Sequence, residues 1–180
     1  MMNRLRNSLF GNRALLGWVF IFVLLVSAAI VLTRAKALAA PNQPIEFSHQ
    51  KHADAGVECL FCHSQAQRSD SAGIPSVQFC IGCHQTIATE SEQIQVLQGY
   101  WDRQEPIPWV AVNDLPDHTF FSHRVHLSAR VSCETCHGPV ASMAQLKPLN
   151  TMDMGWCLTC HLKQPDEKVA RLADCLACHQ

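Results

Sequence analysis

Five copies of Cys-x-x-Cys-His run through the chain: Cys59-Leu60-Phe61-Cys62-His63, Cys80-Ile81-Gly82-Cys83-His84, Cys133-Glu134-Thr135-Cys136-His137, Cys157-Leu158-Thr159-Cys160-His161 and Cys175-Leu176-Ala177-Cys178-His179. Together they use all ten cysteines. Residues three and four apart on a helical turn share a face, so each motif can present two thiols and an imidazole together. Two thiols can add across the two vinyl groups of a porphyrin, and the imidazole can take one axial position on its iron. This is the attachment signature of c-type haem. Five copies predict five covalent c-type haems and a chain built to carry electrons.

Other uses of the cysteines explain less. A disulfide within Cys-x-x-Cys closes a strained local ring and does little to staple a fold. Zinc sites also use paired Cys-x-x-Cys units, with distant histidines. Neither requires a histidine directly after every pair.

Low-spin electron-transfer haem needs a second axial ligand, and five histidines stand outside the motifs: His49, His52, His118, His123 and His126. Residues 47–63 (FSHQKHADAGVECLFCH) and 121–137 (FSHRVHLSARVSCETCH) are identical at nine of seventeen positions, at a constant offset of 74. In each block, histidines lie ten and seven residues before the first cysteine, and another attachment motif follows. The repeat unit, 47–84 and again 121–161, is therefore two distal histidines serving two haems. Histidines at i and i+3 lie close on a helical turn but point in somewhat different directions, so they can ligate two irons. His49, His52, His123 and His126 are the expected distal ligands, with crossing between haems left open. Phe47 and Phe121 are expected to pack on porphyrin faces.

The fifth haem, on Cys175 and Cys178 with His179, has no distal histidine supplied by the repeat. His118, Met143 and Met154 are the candidates, with Met152 or an open position behind them. A thioether would raise that haem's potential and mark it as the exit for electrons.

Elements must hold these groups with very little chain. Residues 41–180 leave 28 residues per motif. That is too few for an ordinary core around each haem, so the haems themselves are expected to be the core. The fold class that follows is mostly irregular, with short α-helices wrapped around five haems and almost no sheet. The apoprotein is expected to be largely unfolded. In the connection 85–119, Ala88–Leu97 reads as a short helix and the Trp- and Pro-rich remainder as an irregular wrap. No Gly-rich phosphate loop or nucleophile elbow is present, and no catalytic residues are assigned. Residues 41–180 carry nine basic and fifteen acidic residues. With the haem propionates added, this acidic balance excludes nucleic acid as a natural partner.

Residues 1–40 form a separate region, with five basic residues and no acidic one. Ala14–Leu32 is an uncharged run of nineteen residues. At ~1.5 Å per residue it reaches the ~30 Å hydrocarbon thickness of a bilayer. A retained single-span anchor is favoured over a signal peptide, whose apolar region is shorter (~7–15 residues). Haem attachment takes place outside the bacterial cytoplasmic membrane, so the haem domain is expected on the periplasmic side.

The arrangement resembles multihaem cytochromes of the cytochrome c3/c7-like group, and more closely the pentahaem subunit of alternative complex III, a quinol:electron-acceptor oxidoreductase. The resemblance is carried by Pro44-Ile45-Glu46-Phe47-Ser48-His49, Ile107-Pro108-Trp109-Val110, Leu115-Pro116-Asp117, Phe121-Ser122-His123, Cys136-His137-Gly138, Met154-Gly155-Trp156-Cys157 and Asp174-Cys175-Leu176-Ala177-Cys178-His179. It implies a periplasmic electron-transfer subunit beside an iron–sulfur protein of the molybdopterin-enzyme type, polytopic quinol-binding subunits and a monohaem cytochrome c. Electrons would pass from quinol to a periplasmic cytochrome or an oxidase. Two other classes remain open: a membrane-anchored quinol dehydrogenase that binds quinol itself, and an autonomous periplasmic reductase with an open haem.

Overall fold

A computed structural model describes residues 2–179, with side chains from residue 15 onward. The chain divides into two units, Met1–Ala39 and Ala40–Gln180. The first is a single helix, α1 (Met2–Ala37). Its stretch Leu15–Ala37 has 23 residues and a mean hydropathy of 2.9, long and apolar enough to cross a membrane. Arg34 and Lys36 lie in its last turn, where cations complement the helix dipole.

The second unit strings short helices on irregular connections. In order they are α2 (His49–Asp54), α3 (Cys59–Cys62), α4 (Val77–His84), α5 (Glu92–Asp102), α6 (His123–Ser128), α7 (Cys133–His137), α8 (Met154–His161) and α9 (Asp166–Leu172). Single 3-10 turns at Ser64–Gln67, Val140–Ser142 and Cys175–Ala177 follow or carry attachment motifs. There is no strand among the described residues. The one isolated bridge found there pairs Thr119 antiparallel with His179. The expectation of short helices and almost no sheet matches this architecture.

Buried side chains are few. Ile45, Ala66, Ile81, Leu97 and Ile107 are the buried hydrophobics among the described residues. Four of them, Ile45, Ile81, Leu97 and Ile107, form one cluster flanked by Val77, Ile94, Tyr100, Trp101 and Trp109. This small core lies where α5 packs on α4, beneath the second attachment motif. Elsewhere large apolar side chains such as Phe61, Phe79 and Leu176 stand open. Such a shell cannot be held by its own side chains and needs something apolar to close on.

Helix α5 departs from the sequence expectation. It begins at Glu92 rather than Ala88 and runs on through Tyr100 and Trp101 to Asp102. Ala88 has φ +56°, outside the helical region. Ser91 takes the N-cap position instead. The face Ile94, Leu97, Trp101 then turns onto the α4 core. Left-handed Gln104 ends the helix, and the Glu105 amide donates to the Tyr100 carbonyl at 3.0 Å.

Candidate haem sites

Each attachment motif sits on a single helical turn. Motifs one and three form α3 and α7, motifs two and four end α4 and α8, and motif five is the 3-10 turn Cys175–Ala177. All ten thiols are free of disulfides and at least partly exposed. The described residues contain no cluster of three or more His, Cys, Asp or Glu side chains able to hold a metal.

Instead, histidines face each other in pairs. His52 and His84 have ring centroids 6.0 Å apart, His123 and His137 6.2 Å, His126 and His161 6.1 Å, and His118 and His179 5.4 Å. A metal–imidazole bond of ~2.0 Å, plus ~1.1 Å from ring nitrogen to ring centre, puts two imidazoles on opposite sides of one metal ~6.2 Å apart. Three pairs stand at that separation, and the fourth, at 5.4 Å, would have to open by about 0.8 Å to admit a metal. His49 lies near enough to both His63 and His52 to feel their charge. Burial, then the charges of His63 and His52, lower His49 from 6.5 to about 4. Its ring is therefore neutral at neutral pH, the form that ligates metal. Burial, then His123 and His63, lower His137 as well.

Hydrogen bonds aim most of these rings. The Nδ1 of His52 lies 2.8 Å from the Ser48 carbonyl, and that of His126 2.8 Å from the Ser122 carbonyl. His63 reaches the Gly73 carbonyl at 2.7 Å, His84 that of Ile87 at 3.0 Å, His123 that of Asp70 at 2.6 Å and His161 that of Leu172 at 3.0 Å. A carbonyl can only accept, so Nδ1 carries the proton and Nε2 keeps its lone pair for a metal.

Phe47 and Phe121 each contact histidine rings. Each meets both distal histidines of its block. Phe47 stacks on His52 at 4.4 Å and meets His49 edge-on at 4.8 Å. Phe121 does the same with His126 at 4.5 Å and His123 at 4.9 Å. The Phe-Ser-His-x-x-His pattern is thus one device: the aromatic ring spaces two imidazoles, and the serine carbonyl orients the second.

The two blocks hold each other. The Gln50 amide donates to the Met143 carbonyl at 3.1 Å, and the Arg124 amide to the Ser69 carbonyl at 3.2 Å. Both partners are related by the same offset of 74, so the contacts are reciprocal. Helix α2 packs on the turn Val140–Ser142 after motif three, and α6 on the turn Ser64–Gln67 after motif one. The clasp is incomplete in one place: the enclosed Nδ1 of His49 lacks the hydrogen bond that its counterpart His123 makes with Asp70.

Thiols of different motifs also neighbour one another. Burial, then Cys83, raise the pKa of Cys62, which places motif two against motif one. Burial, then Cys59, raise Cys133, joining motif one to motif three. Burial, then Cys157 and Cys160, raise Cys136, and burial, then Cys178, raise Cys157. By these thiol neighbours, motif one meets motifs two and three, and motif four meets motifs three and five.

Of the three candidates beside the fifth motif, His118 is the one whose ring faces His179. The Thr119–His179 bridge and the bond from the Phe120 amide to the Cys178 carbonyl, 2.6 Å, bring the two segments together. Met154 is 66% exposed at the start of α8, and the Met143 backbone belongs to the clasp. Sequence reasoning missed Asn113, whose amide nitrogen lies 3.0 Å from the Nδ1 of His137. A single asparagine in an irregular connection carries no spacing signal.

Residues 51–138 match the family described as cytochrome c3, and residues 119–180 the family described as cytochrome c7 and related cytochrome c. The first match spans motifs one to three and the second motifs three to five. The chain is also 30% identical over 162 residues, covering 77% of each sequence, to the menaquinone reductase, multiheme cytochrome c subunit, of Nitratidesulfovibrio vulgaris (strain Hildenborough). Exposed paired thiols, facing imidazoles and open apolar walls fit covalent c-type haem, and on these grounds the chain belongs to the multihaem cytochrome c family of the cytochrome c3/c7 type.

Proposed function

We propose that this chain is a membrane-anchored pentahaem cytochrome that moves electrons between a quinone-reactive membrane complex and a periplasmic redox partner. The observation that carries the reading is the set of four imidazole pairs at motifs two to five, with His49 near His63 at motif one. We assign the axial pairs as His63 with His49, His84 with His52, His137 with His123, His161 with His126 and His179 with His118. The thioether bonds fall to Cys59 and Cys62, Cys80 and Cys83, Cys133 and Cys136, Cys157 and Cys160, and Cys175 and Cys178. Bound haem supplies a one-electron ferric/ferrous couple. With haem bound, these residues would supply two ligands to each iron and leave no position open to substrate, with the sites following one another in the order two, one, three, four, five. With no open position, an autonomous reductase fits less well than a conduit.

Helix α1 would hold the domain at the membrane, and haem attachment chemistry puts that domain on the periplasmic side. Its resemblance to the alternative complex III subunit supports a route from quinol, through iron–sulfur and polytopic quinol-binding partners, to a monohaem cytochrome c or an oxidase. A second reading has its own support: the relative's name is menaquinone reductase, which implies the opposite direction. His118 beside His179 removes the reason to rank the fifth site highest in potential, so direction rests on the partners.

The test is purification of the tagged chain from native membranes in mild detergent. Co-purification of an iron–sulfur protein and a polytopic subunit, with quinol-dependent cytochrome c reduction, is the expected result. Quinone reduction by a periplasmic donor would favour the second reading, and a chain isolated without membrane partners would contradict both.

A further inference from the structure

His137 differs from the other anchored histidines in what its Nδ1 meets. Six of those Nδ1 atoms face a backbone carbonyl among the described residues, whereas that of His137 faces the side-chain amide of Asn113 at 3.0 Å. As placed, Nδ2 points at the ring and Oδ1 is enclosed without a hydrogen-bond partner. That orientation demands an unprotonated Nδ1, which puts the proton on Nε2, facing His123 across 6.2 Å. A proton there blocks ligation. The oxygen and nitrogen of an amide exchange places with almost no change in shape. Turned by 180°, Oδ1 accepts from the Nδ1–H and Nε2 is freed, while Nδ2 takes the enclosed position. The repeat sharpens the contrast. His63, the counterpart of His137, uses the Gly73 carbonyl, whose acceptor strength no side-chain substitution can change.

We propose that the Asn113 side-chain carbonyl accepts the Nδ1–H of His137 and, by setting the donor strength of that imidazole, tunes the potential of the central haem on Cys133 and Cys136. The inference rests on the axial pairing of His137 with His123 assigned above. Asn113 is a positioning residue: it acts through His137 alone. A stronger acceptor makes the imidazole more electron-donating and favours ferric iron, and loss of the acceptor favours ferrous iron.

The experiment is a redox titration of the full-length, haem-loaded protein carrying Asn113→Asp or Asn113→Leu, with haem content and low-temperature EPR measured on the same samples. One titration component should fall in Asn113→Asp and the same component rise in Asn113→Leu. Each shift should be about tenfold in the ferric-to-ferrous ratio, or ~59 mV for one electron. A purely packing role would not give opposite signs. Full haem content, all haems low-spin and no component moved in either variant would overturn the proposal. A wild-type protein with fewer than five haems, or with a high-spin haem, would instead sink the axial pairing beneath it. If Asn113→Leu does not mature, the Asp variant decides: a shifted g-value for one low-spin species supports the assignment, and an unchanged spectrum refutes it.

Discussion

The rings of His118 and His179 lie with centroids 5.4 Å apart and planes 15° from parallel. An antiparallel bridge one residue further along joins the strap after His118 to the last motif, so a connection without regular structure delivers a histidine to the fifth site. His118→Ala should therefore open one haem and give a high-spin signal. Met154→Ala and Met143→Leu should leave the visible and EPR spectra unchanged. A high-spin haem in either methionine variant, with none in His118→Ala, would reverse this assignment.

Phe47 and Phe121 each brace two imidazoles. Replacing Phe47 with Ala should loosen the ligands of two haems at once. An aromatic pair is worth ~0.5–1.5 kcal/mol beyond its buried area, so ligand displacement should become easier by about tenfold. Carbon monoxide binding to the reduced protein measures this directly. The wild type should bind little, and Phe47→Ala should bind at two haems. Unchanged binding would mean the ring contacts are incidental.

Gly56 and Arg130 occupy the same place in the two repeats, just after the distal helices. Both adopt left-handed backbone, with φ +80° and +61°. Glycine takes that conformation freely, whereas a side chain there costs ~1 kcal/mol. Arg130→Gly should raise stability by ~1 kcal/mol and Gly56→Ala lower it by as much. Guanidinium midpoints of the holoprotein test the pair, and the argument fails if the two changes share a sign.

The sparse core has a consequence for maturation. Chain made without haem attachment should lack most of its helical signal and be cut rapidly by protease across residues 41–180. The region most able to resist is that around Leu97 and Ile81, where side chains do pack. Circular dichroism and limited proteolysis of cytoplasmically expressed protein check this. A protease-resistant apo-domain would show that the polypeptide folds without its cofactors.

Chemistry in this chain is legible because haem attachment needs fixed residue types at fixed spacing. The five motifs and the duplicated Phe-Ser-His-x-x-His announce themselves. Pairing is harder to read. His49 and His123 lie with the first motif of their own block and His52 and His126 with the second, which spacing alone leaves open. The reciprocal clasp is invisible in sequence because Gln50, Met143, Arg124 and Ser69 contribute backbone atoms, and any residue type could do so. The start of helix α5 is not legible because Ala88 favours helix by propensity, yet it adopts left-handed backbone, φ +56°. The contacts of Phe47 and Phe121 with both histidines of their blocks carry no separate sequence signal, since a phenylalanine beside a haem motif reads first as porphyrin packing.

Spin state and haem count together test the central claim most directly. The claim is that every motif carries a haem and every haem has two histidines. Intact mass and low-temperature EPR of the full-length protein in its oxidised state measure both. The account predicts five covalent haem masses on one chain and low-spin ferric signals only. Four or fewer haems in fully matured protein, or a stoichiometric high-spin signal, would contradict it.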